Sequence, residues 1–204
     1  LVFALLFLGL GLISDNVPEL SPEQLEFLAG YSSMRFLSVL LFLFVGLIVT
    51  MIIQSSSAMF AIVMVMALKG WVPFEMACAM VLGSNIGTTV TPLLASLNAN
   101  IMAKKAALVH FLFNLFGSIW TIVLFYPFCQ LIIWITDACG QGNPGMPIGD
   151  FTSVNAYEVA VSFGLSIFHT VFNIVNLSVM IWFPQLFVKI CDLLVRSTHK
   201  EDEE

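Results

Sequence analysis

Four consecutive polar side chains, Gln54, Ser55, Ser56 and Ser57, interrupt a run that is otherwise aliphatic or aromatic at nearly every position from 36 to 68. Lipid cannot accept such a tetrad, because each unpaired polar group in hydrocarbon costs several kcal/mol. These side chains must therefore face protein, water or a ligand. About thirty residues on comes a second polar stretch, Gly83-Ser84-Asn85-Ile86-Gly87-Thr88-Thr89-Val90-Thr91. Amides and hydroxyls are neutral donors and oxygen acceptors, which suit a sodium ion or a small oxyanion better than a hydrophobic compound.

Composition agrees with a bilayer setting. The chain is 59% hydrophobic and only 10% charged, with mean hydropathy +0.99, too apolar for the surface of a soluble domain of this size. The net charge of −6 comes from two patches: Asp15, Glu19, Glu23 and Glu26, and the terminal Glu201, Asp202, Glu203 and Glu204. No basic stripe offers a footprint for nucleic acid. Cys78, Cys129, Cys139 and Cys191 lack paired or metal-ligand spacing and read as small buried hydrophobes, with a bridge between Cys129 and Cys139 as the lesser alternative.

Along the chain the reading is all-α and polytopic. Residues 1–14 look like the end of a membrane helix whose start is missing, so the chain reads as a fragment; 15–35 form an acidic external loop. Residues 36–69 make two apolar arms around the 54–57 tip, describing either a re-entrant hairpin or a kinked helix, the hairpin being preferred. Residues 75–98 read as one helix unwound across 83–91, where glycines free the backbone. Spans follow at 103–127 and 154–183, each stopped by a proline, with a Gly/Pro/Asn-rich loop at 137–152, and 191–204 form the tail. Lys104, Lys105, Lys189, Arg196 and Lys200 flank the last two spans on one side, while the loop between those spans carries no Lys or Arg. By the positive-inside rule the C-terminus is cytoplasmic and the hairpin enters from outside.

A pattern His-x-x-Phe-Asn occurs twice, as His110 to Asn114 and His169 to Asn173. On a helix the His and Asn share one face. The plainer reading is interhelical hydrogen bonding; ligand contact or proton coupling is the sharper one.

Gln-Ser-Ser-Ser, then Gly-Ser-Asn-Ile-Gly-Thr-Thr, then His-Phe-Leu-Phe-Asn, in this order and at this spacing, resembles the type II sodium–phosphate cotransporters and their bacterial relatives over residues 36–184. The resemblance implies one half, the second, of an inverted-repeat transporter in the plasma membrane (in bacteria the inner membrane), moving inorganic phosphate with sodium by alternating access. It also implies a partner half absent here, no resident cofactor, and a possible downstream domain resembling a phosphate-uptake regulator. Carried onto this sequence, Ser55, Ser56, Ser57, Thr88 and Thr89 would bind phosphate. Gln54, Ser84 and Asn85 would bind sodium, with His110, Asn114, His169 and Asn173 in support. No Arg or Lys lies at membrane depth in this stretch, so the anion would rely on helix N-termini after Ser57 and after Thr89.

Blander roles compete at each position. A single membrane serine or threonine usually bonds its own backbone, and Thr91 and Asn98 are read that way. Glu75 and Glu158 fall near span edges and read as solvated. A non-transporting phosphate sensor or scaffold is one alternative function. An intramembrane hydrolase using Ser56 or Ser57 with His110 or His169 is another, disfavoured because no Gly-x-Ser-x-Gly elbow is present and four hydroxyls are redundant for one nucleophile; the chain is not read as an enzyme.

Overall fold

Backbone groups at membrane depth have no water to bond, so each apolar stretch satisfies them within its own helix. A computed structural model describes residues 35–195 without interruption, with Leu8, Gly9, Gly11, Leu12, Asp15, Ser21, Glu23 and Gly30 besides. The expected first helix end, the acidic loop and the tail beyond residue 195 lie largely outside the described residues. Within them run α1 (Phe36–Ile53), α2 (Ser56–Leu68), α3 (Phe74–Ala95), α4 (Ile101–Val123), α5 (Phe125–Ala138), α6 (Val154–Met180) and α7 (Pro184–Leu194), with 3-10 turns at Ser96–Asn98 and Ile148–Asp150.

The seam between α1 and α3 fixes the rest. A methyl group added at Gly46 would overlap the carbonyl of Met80; one at Gly83 would overlap the Leu43 carbonyl and lie 2.9 Å from the Leu47 nitrogen. At Gly87 it would meet the Leu47 oxygen at 2.6 Å and Thr50 Cβ at 2.9 Å. Only glycine permits backbones this close. Along these contacts both helices advance in the same direction, with Gly83 beside residues 43–47 and Gly87 beside 47–50. By the same register the start of α3 lies level with the start of α1. The chain must therefore double back through α2, which rules out a single kinked helix over 36–68.

The second polar stretch does not unwind. Residues 83–91 lie inside the continuous helix α3, contrary to the broken helix expected at 75–98. The glycines, four apart, form a packing face against α1 instead of a flexible joint. Thr88 Oγ1 donates to the Ser84 carbonyl at 2.8 Å and Thr89 Oγ1 to that of Ile86 at 2.7 Å, the local bonding open to hydroxyls in a helix.

Two further boundaries differ. The span expected at 103–127 ends at Val123, and α5 occupies 125–138, so part of the expected 137–152 loop and the unassigned residues before it are helical. Pro127 sits in the first turn of α5, where a missing N–H is harmless. Apolar residues on α5 then have a face to bury: Phe128 packs edge-on against Trp120 and Phe168, centroids 5.6 and 5.3 Å apart. The span expected at 154–183 ends at Met180, and Pro184 opens α7. That helix lies along α4, with Phe187 against Phe116 (5.8 Å) and a 2.8 Å ion pair between Asp192 and Lys105. The tail expected from 191 thus begins within a packed helix. All four cysteines are free and only Cys139 is exposed.

Candidate functional site

The tip between α1 and α2 is a two-residue turn. Gln54 closes α1 in the left-handed region (φ 57°), its N–H donating to the Thr50 carbonyl at 2.7 Å. Ser55 is extended and caps α2: its Oγ accepts from the Ala58 N–H at 3.2 Å. Hydroxyl capping of this kind is why a serine run can open a helix in an apolar setting. The first N–H groups of α2, those of Ser56 and Ser57, have no acceptor among the described residues, and neither do the two hydroxyls. Gln54 and Ser57 are exposed; Ser55 and Ser56 are half-buried. A helix N-terminus with free N–H and O–H donors is suited to an anion.

On α3, two buried polar atoms, Ser84 Oγ and Asn85 Nδ2, make no hydrogen bond among the described residues, a costly state for groups of this kind. The α1–α3 register places the tip level with Thr91, and Thr88 and Thr89 within one turn of it. Ser84 and Asn85 lie about 10 Å further along the axis, at 1.5 Å per residue. The candidate residues thus form two levels. The helix start expected after Thr89 does not exist, so α3 contributes side chains there and no terminal N–H groups.

The repeated His-x-x-Phe-Asn segments adopt one local geometry. Asn114 Nδ2 donates to the His110 carbonyl at 3.1 Å and Asn173 Nδ2 to that of His169 at 2.7 Å. His169 also lies against Phe60 of α2, centroids 5.6 Å apart; His110 is exposed. The interhelical polar contact expected of these residues is made elsewhere, by Asn176, which the motif reading missed. Fully buried, it donates to the Phe113 carbonyl at 3.3 Å and accepts from Trp120 Nε1 at 3.5 Å. Its amide fills the space a side chain at Gly117 would take. An asparagine deep in an apolar helix, three residues beyond the second motif and on its face, was the available signal.

Four described helices are long and apolar enough to cross a membrane: α1, α3 with the following turn, α4 and α6. Helices account for every regular element described, which makes this a polytopic, all-α integral membrane protein. Residues 2–126 match the Na+/Pi-cotransporter family profile, and the chain belongs to that family. It is 28% identical over 153 residues to the uncharacterized protein YqeW of Bacillus subtilis (strain 168), covering 75% of this chain and 43% of that one. The mouse sodium-dependent phosphate transport protein 2C is 42% identical over 92 residues, 43% of this chain and 15% of the relative. The human sodium-dependent phosphate transport protein 2B is 38% identical over 126 residues, 60% of this chain and 16% of the relative. The chain therefore spans less than half the length of each of these relatives. No solved structure matches it.

Proposed function

We propose that this chain carries one half of a sodium-coupled inorganic phosphate symporter that works by alternating access, the opposing half supplying the other wall of the site. The observation that carries the reading is the unpartnered pair Ser84 Oγ and Asn85 Nδ2 on α3, beneath a helix start whose N–H and hydroxyl groups are also unpaired. In this assignment Ser55, Ser56 and Ser57, with Thr88 and Thr89, receive phosphate. Gln54, Ser84 and Asn85 receive sodium, Gln54 from the upper level and the other two from the lower. The threonine hydroxyl protons already serve their own helix, leaving their oxygens as acceptors toward a cation or a protonated phosphate oxygen.

Coupling follows from charge. No Arg or Lys lies along 36–68 or 70–103, so a phosphate at the tip gains most from a cation bound nearby, and each ligand raises the other's affinity by the same factor. The hairpin is re-entrant, its tip held within the protein, and the C-terminus is cytoplasmic. The ion pair between Lys105 and Asp192 supports the latter by gathering the basic ends of α4 and α7 at one end of the bundle.

The test is sodium-dependent phosphate uptake by the complete protein in vesicles. Ser56→Ala and Asn85→Ala should each abolish uptake while membrane expression is unchanged. Undiminished uptake in both variants removes the site assignment.

A further inference from the structure

Six polar side chains occupy one face of α6. Asn155, Glu158, Ser162, Ser166, His169 and Asn173 follow each other at intervals of three and four, which keeps them in a narrow stripe along a helix. All six are exposed or half-exposed. The stripe is about 27 Å long at 1.5 Å per residue, close to the roughly 30 Å of a bilayer's hydrocarbon, and α6 is one of the spanning helices. Asn155 and Glu158 make no hydrogen bond or ion pair among the described residues. Ser166 and Asn173 bond only their own helix, at the Ser162 and His169 carbonyls (2.8 and 2.7 Å). A face this polar, holding a carboxylate and an imidazole, is incompatible with lipid contact along its length; ionisable groups inside a membrane face a cavity or a partner.

Two observations say which. At the Glu158 end lies an open pocket of about 600 Å³, lined by Leu68 of α2 and by Asn155, Glu158, Ser162 and Ser166 among others. The stripe also meets α2 further along, where Phe60 lies against His169; on another face of α6 the Tyr157 hydroxyl donates to the Ala67 carbonyl at 2.8 Å, holding the two helices side by side. The two helices run in opposite senses, so Ser56, at the head of α2, falls level with residues 168–173, where the stripe ends. We propose that this face of α6 is the wall of a water-filled path that leads small hydrated cations from the Glu158 pocket to the level of the α2 head. Beside the apolar Leu68, Val159 and Phe163, the polar groups of the lining are hydroxyls, amides and one imidazole with a single carboxylate at the mouth, a pattern that concentrates cations and not anions. It stands on the embedding of α6 in the membrane, whether or not the tip binds phosphate.

Thiol accessibility in the full-length protein, in membrane vesicles with Cys139 replaced by serine, tests this without measuring uptake. Ser162→Cys, Ser166→Cys and, as the lipid-side control, Ile174→Cys would be exposed to two membrane-impermeant methanethiosulfonates, trimethylammonium-ethyl and sulfonatoethyl, each rate normalised to a free thiol. The first two variants should react at least about tenfold faster than the control and prefer the cationic reagent about tenfold, with Glu158→Gln removing that preference. Equal, slow reaction at 162, 166 and 174 would show the stripe sealed beneath packed protein and overturn the path. Fast reaction indifferent to reagent charge, or to Glu158→Gln, would overturn the cation assignment.

Discussion

Residues 54–57 and 83–91 hold the same kinds of side chain, amides and hydroxyls in an apolar setting, yet one interrupts the backbone and the other does not. At the tip, Gln54 takes a left-handed conformation and Ser55 turns its hydroxyl onto the next helix, so the chain reverses. In α3, Thr88 and Thr89 turn their hydroxyls onto their own carbonyls, and Gly83 and Gly87 press against α1. The glycines decide the difference in a direction opposite to their intrinsic preference. Glycine loosens an isolated helix, but two of them four apart make a flat face that a second helix can cover, and the contact holds the helix wound.

The largest effect should come from filling that face. Gly83→Val would drive a branched side chain into the Leu43 carbonyl, backbone that cannot move aside. Overpacking in a core costs roughly 1–3 kcal/mol, and here loss of monodisperse protein on size-exclusion chromatography in detergent is expected. Gly70→Ala, in an open turn at φ 71° with nothing within 4 Å, should leave the elution profile intact. A well-behaved Gly83→Val protein would break the comparison. Next comes the cap: Ser55→Ala removes the acceptor for the Ala58 N–H and should lower thermal stability by about 1 kcal/mol, read as a fall in Tm, with Ser55→Asp recovering it. Gln54→Gly should act in the other direction, since glycine carries no left-handed penalty; a gain of up to about 1 kcal/mol is expected. A drop in Tm instead would mean the Gln54 side chain holds the turn. Smallest of all, Thr88→Val should change stability by no more than about 0.5 kcal/mol, because its hydroxyl only doubles a carbonyl the helix already uses. Loss of uptake at unchanged Tm would then separate a ligand role from a structural one.

The tetrad at 54–57 was legible because no lipid-facing helix tolerates four polar groups in succession. The continuity of α3 was not, since the Gly-x-x-x-Gly spacing at 83 and 87 serves unwinding and close packing alike until the partner is known, and that partner lies forty residues back, at Leu43. Prolines misled for a similar reason: Pro127 and Pro184 both stand at the start of a helix, where the residue is welcome, so the reading of each as a stop was right about the preceding helix and silent about the next. The candidate residues were found by composition, but their arrangement on two levels depends on the register of α1 against α3. Asn176 escaped because a lone asparagine announces nothing until Gly117 and Trp120 are seen to be built around it.

The contact of backbone on backbone at Gly46, Gly83 and Gly87 has a mechanical side. Sliding one of these helices past the other by a single turn would bring the side chain of Met80 or Leu47 to where only a hydrogen atom now fits. The first and third helices are thereby locked as one stiff beam, and any rocking that opens the bundle has to be taken up by the thirteen-residue arm returning between them.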